Sequence, residues 1–161
     1  MSKIFREAPK IFVHIQKSFF PAILNVSSSS NRQISSPASN LLEDYVSNSS
    51  SNVVLPYLTN CAMHEKDRIR SLAFKVIAKY LDKFVQDSLT DVKKNVFPAI
   101  CSALFSPSTK SDVRIAASDC LKQLNKQMNT NAKYLSDSDT NILNWLEDPL
   151  KQKEISKIIS K

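Results

Sequence analysis

Cys61 and His64 stand one helical turn apart in "NCAMHEKDRIR", close enough for an imidazole to take a proton from a thiol. Nucleophilic chemistry of that kind also needs a group to orient the base and donors to hold an oxyanion, and the flanking residues supply neither. The other histidine, His14, lies far away in the chain, and two ligands are too few for a zinc site. The three cysteines, Cys61, Cys101 and Cys120, are odd in number, widely spaced and free of any CxxC pattern. They read as reduced thiols on buried helix faces of an intracellular protein. The expectation is a non-catalytic protein with no metal, no cofactor and no small-molecule substrate.

The remaining chemistry is cationic. Lys and Arg number 22 against 15 Asp and Glu, a formal charge of +7 that favours an acidic partner. Arg32, Lys66, Arg68 and Lys110 cluster just before apolar-periodic stretches, beside Asp67, Arg70, Asp112 and Arg114. Aromatics are not interleaved with the basic residues as a single-strand nucleic-acid binder requires, so nucleic acid is not the expected partner. The closing "EISKIISK" is short for a membrane-surface helix, and no apolar run approaches bilayer length.

The elements that must carry these side chains are helices. The chain contains no glycine, which removes phosphate-cradling loops and glycine-dependent hairpins. "FFPAIL", "VLPYLT" and "VFPAIC" place Pro21, Pro56 and Pro98 at spacings of 35 and 42 residues. Each is followed after 17 to 19 residues by an alanine, Ala38, Ala73 or Ala117, that opens a second helical pattern. Four residues before these alanines stand Ile34, Ile69 and Val113, and four after them Leu42, Ile77 and Leu121. Apolar residues at those offsets form one helical stripe. The repeat predicts an all-α fold, an α-solenoid of about three helix pairs over roughly 10–47, 52–86 and 89–128.

Within each pair the proline should bend the first helix and the alanine should let the second approach its neighbour. Asp67 and Asp112 are expected to accept backbone N–H bonds at the start of the second helices, and Arg70 and Arg114 to pair with acids on the adjacent repeat. Asp137 or Ser138 could cap a further helix over 139–147, whose Trp145, Ile142 and Leu146 would cover the open end. Residues 1–148 make one domain, and 149–161 a basic C-terminal tail whose "LKQKEISKIISK" is expected to form a short amphipathic helix.

The Pro-containing first helix and the Asp…Val-Arg corner resemble HEAT repeats. "FFPAILNVSSSSNRQISSPA", "VVLPYLTNCAMHEKDRIRSLAFKVIAKYL", "KSDVRIAASDC" and "NAKYLSDSDTNILNWLED", in that order, are similar to segments of the TOG domains of the cytoplasmic linker-associated proteins. The likeness spans about residues 10–148 and maps onto the later three of that family's six repeats, as though the chain were its C-terminal half. The resemblance implies binding of αβ-tubulin or microtubules along an edge made by the corners within each pair. Carried onto this chain, the contacting cations are Arg32, Lys66, Arg68 and Lys110. The implied location is the cytoplasm, on the cytoskeleton or spindle. The alternative is a HEAT-repeat scaffold for another protein complex.

Overall fold

The computed structural model describes residues 9–131 and 141–160, and every regular element among them is helical. In chain order these are α1 (Pro9–Ser27), α2 (Arg32–Asn48), α3 (Ser51–Ala62), α4 (Asp67–Lys79), α5 (Leu81–Asp91), a π turn (Val92–Val96), α6 (Phe97–Phe105), α7 (Ser111–Thr130), a 3-10 turn (Ile142–Trp145) and α8 (Pro149–Ile159). No helix among the described residues is long and apolar enough to cross a membrane.

Three sequential pairs pack together: α1 with α2, α3 with α4, and α6 with α7. The apolar stripe explains the last two. Ile69, Ala73 and Ile77 of α4, and Val113, Ala117 and Leu121 of α7, are all essentially buried. Small alanines at the centre of both stripes let α4 lie along α7, the most extensive helix contact among the described residues. The first pair departs from the pattern. Leu42 is buried, but Ile34 is 51% exposed. Its helix is fixed instead through its last turns, where Tyr45 meets Phe20 edge-on at 5.5 Å and Phe20 stacks on Tyr57 at 5.6 Å. With α2 anchored at that end, no neighbour among the described residues covers Ile34 in its first turn.

The expected helix over 67–86 is broken. Tyr80 (φ −106°, ψ 13°) ends α4 by closing onto the Val76 carbonyl, and Phe84 starts the next turn from the Tyr80 carbonyl. The break turns Leu81, Phe84 and Val85 into the core, a gain in apolar burial that outweighs the lost helix bonds. Ser88 is extended, and its hydroxyl accepts the Asp91 N–H at 3.3 Å, the geometry of an N-cap for the residues that follow. Pro21 and Pro56 lie within α1 and α3. Pro98 sits instead at the start of α6, directly after the π turn, where the Phe97 N–H reaches back to the Val92 carbonyl. The wider turn gives the proline ring room beside a carbonyl that an α-turn would press against it.

Two further expectations are corrected at the C-terminal end. Asp137 and Ser138 lie outside the described residues, and no α-helix runs to 147. Ile142–Trp145 is a single 3-10 turn, capped by Asn141, whose side-chain oxygen accepts the Leu143 N–H at 3.0 Å. Leu146 is already extended and Asp148 caps the next helix, so too few residues separate the two caps for an α-helix to form. Trp145 rests edge-on against Phe97 at 5.2 Å, with Lys93 Nζ 5.4 Å from its ring centre. Residues 149–159 form the expected short helix but belong to the domain: α8 packs on α7 and buries Ile155 completely.

Candidate protein-docking edge

Each corner joins the end of one helix to the start of the next, and each is closed by local bonds. In the first, Asn31 caps α2 by accepting the Gln33 N–H at 3.0 Å, and the Ser28 hydroxyl donates to the Asn25 carbonyl at 2.8 Å. Arg32 follows at the first helical position, exposed, and no hydrogen bond or ion pair among the described residues joins it to the other two corners.

The second and third corners share a device that sequence reasoning assigned differently. Arg114 does not pair with an acid on a neighbouring repeat. Its Nη2 donates to the Ser106 carbonyl at 2.6 Å and its Nε to the Thr109 carbonyl at 3.1 Å, both in its own corner. Arg70 likewise donates through Nε to Ala62 at 3.4 Å, eight residues upstream as Ser106 is from Arg114. The carbonyls at the end of a helix lack intrahelical partners, and a guanidinium entering from the next helix supplies donors and positive charge together. Arg70 adds a 3.6 Å contact to Asp67 on its own helix and a 3.4 Å bond from Nη2 to the buried Thr109 hydroxyl of the third corner. The matching position in the first corner, three residues before Ala38, is Ser35.

The expected aspartate caps are also absent. The cap positions are Lys66 and Lys110, neither with a side-chain cap bond, and Asp67 and Asp112 stand inside the first turns of α4 and α7. Their charge still meets the positive end of the helix dipole. Asp67 turns outward to Lys110 Nζ at 2.9 Å across the two corners, because the cation on the facing corner offers a stronger partner than the local amides. The hydrogen bond from Lys110 to Asp67 raises the lysine's pKa above its usual value. A second link runs from the Ser71 hydroxyl to the Asp112 carbonyl at 3.5 Å.

The second and third corners therefore stand side by side. Lys66 and Arg68 are exposed there, whereas Lys110, 76% exposed, is already committed to Asp67. His64 faces the backbone: its Nδ1 accepts the Lys66 N–H at 3.0 Å. The Cys61 thiol is buried and its pKa is pushed up to about 12 by desolvation, so at neutral pH it stays protonated and a poor nucleophile. Burial likewise raises Cys120 to about 12 and Cys101 to about 11. Among the described residues, no group of three or more potential metal ligands comes together.

No protein-family model, curated protein or solved structure matches this chain.

Thr109 and the Lys110–Asp67 link are the features of the edge that sequence reasoning missed. A threonine in "SPSTK" carries no sign that its side chain is buried, at 6% exposure. The repetition of Arg three residues before Ala, in "RSLA" and "RIAA", was a readable signal, but it fixed only the register of the guanidinium and not its target.

Proposed function

We propose that the helix pairs stack as a HEAT-type α-solenoid and that the chain is a TOG-like module docking αβ-tubulin or microtubules through its intra-repeat corners, in the cytoplasm on the cytoskeleton. The observation that carries this reading is the Lys110–Asp67 pair at 2.9 Å, with the Arg70–Thr109 bond beside it, which holds the second and third corners in one edge. Lys66 and Arg68 then project from that edge as exposed cations, and Arg32 extends the set from the first corner. Lys110 serves as a strut that aligns the edge rather than as a free contact. Attraction between such cations and an acidic partner speeds encounter and fixes orientation more than it sets final affinity.

The test is gel filtration of the chain with tubulin, in parallel with an Arg32→Glu/Lys66→Glu/Arg68→Glu variant. Rim-exposed charges contribute about 1 kcal/mol or less each, so the triple reversal should weaken association about tenfold or more. A wild-type chain that never shifts with tubulin overturns the tubulin reading, and a variant that shifts equally overturns the corner assignment. The spent charge of Lys110 favours a second reading, a HEAT scaffold for a different complex, which the first result would support.

A further inference from the structure

A groove of about 560 Å³ lies along the seam where α4 meets α7. Ala78 and Ala116 face it and leave it open, while Lys75, Lys79 and Lys122 flank it, with Gln123 and Asp119 completing the lining. On α4 the exposed cations Arg68, Lys75 and Lys79 fall at i, i+7 and i+11, within about 40° of one line along the helix. On α7, Lys122 is followed one turn later by the exposed Lys126. Lys79 is held by Glu43 of α2, whereas no ion pair among the described residues holds Lys75 or Lys122.

We propose that the α4–α7 groove binds an acidic, extended protein segment, its carboxylates meeting Lys75 and Lys122 and its backbone or small side chains lying over the alanines. Charge complementarity selects this occupant: three lysines against one aspartate give the lining a net +2. A nucleic-acid strand fits less well, because no aromatic lines the groove for bases to stack on and Asp119 would oppose a phosphate backbone. The groove lining shares no cation with the corner edge: Arg68 lies on the same line of α4 but is not part of the lining.

The experiment is fluorescence anisotropy of a labelled twelve-residue Glu/Ser peptide titrated with the full 161-residue chain at low salt. Lys75→Glu/Lys122→Glu should weaken binding about tenfold or more, and Asp119→Asn should strengthen it about twofold. The charge-matched control is Lys153→Glu/Lys157→Glu on α8, both exposed, which should change little beyond the loss of general attraction. Equal weakening by the groove pair and the control pair overturns the proposal, as does an Asp119→Asn variant that binds no better. Tighter binding of an oligothymidine of equal length, lost in the groove pair, overturns it in favour of nucleic acid. Arg32→Glu/Lys66→Glu should leave peptide affinity within the control range, so failure here and failure of the corner reading are told apart. Circular-dichroism melts of each variant confirm a folded chain, and the gain expected from Asp119→Asn does not depend on surviving a charge reversal.

Discussion

Arg114 illustrates how one side chain can close a helix hairpin. Its two bonds reach carbonyls that would otherwise face a half-buried corner without donors, and one of them belongs to the residue that ends α6. Replacing it by Met keeps much of the aliphatic packing and removes both donors. Hydrogen bonds from a charged group contribute about 1.5–3 kcal/mol, so Arg114→Met should lower the unfolding free energy by about 2 kcal/mol in urea denaturation. Arg114→Lys should recover only part of this, because one ammonium cannot reproduce the spread of the guanidinium fork. Arg70 makes longer contacts of 3.4 and 3.6 Å, and its replacement by Met should cost less than that of Arg114. A result in which the two replacements cost the same would mean that packing of the side-chain stem, not the corner bonds, carries the stabilisation.

At the scale of elements, the end of α2 depends on a residue far along the chain. Lys83 Nζ donates to the carbonyls of Val46, Ser47 and Ser49 at 2.9, 2.8 and 2.6 Å, capping the helix with a cation where its dipole is negative. Nearby, the Ser47 hydroxyl donates to the Glu43 carbonyl at 2.7 Å and accepts from the Tyr80 hydroxyl at 3.2 Å, so the break between α4 and α5 and the end of α2 support each other. Lys83→Met should destabilise the chain by about 2 kcal/mol and speed amide hydrogen exchange in the last turn of α2 more than in α7. Uniform exchange would show that the cap is not local. None of this was legible beforehand. "AFKVIAKYLDKFV" keeps helical periodicity without interruption, and the turn at Tyr80 is imposed by the distant surfaces that bury Leu81 and Phe84. The stripes of α4 and α7 were legible because their burial repeats every turn and needs only neighbours on one face. Ile34 matches the same pattern and lies exposed, since periodicity states which residues share a face and not whether a neighbour covers it. The corner cations were legible in position, while the pairing of Lys110 with Asp67 depends on how closely two corners approach.

For the molecule as a whole, the C-terminal segment decides where the core ends. Asp148 caps α8 by accepting the Leu150 N–H at 2.9 Å, and Gln152 donates to the Leu146 carbonyl at 2.7 Å, tying the helix back to the preceding turn. Ile155 is fully buried within the same cluster as Leu121 and Leu124 of α7, and Lys151 sits 5.7 Å from the Phe105 ring centre. The spacing of Ile155, Ile158 and Ile159 gave α8 an amphipathic face, but a short basic stretch after Asp-Pro reads equally well as a solvated tail. Its membership in the fold becomes clear only from what Ile155 touches. Ile155→Ala should therefore act as a core truncation, costing about 3 kcal/mol and lowering the thermal midpoint by roughly 10 °C for a chain of this size. A chain ending at Asp148 should lose at least as much and bind a hydrophobic dye at the exposed faces of α6 and α7. The measurement is scanning calorimetry of the three chains under one buffer. A tail that merely trails from the domain would leave the midpoint where it is in both variants, and the packing of Ile155 against α7 would then contribute nothing to stability.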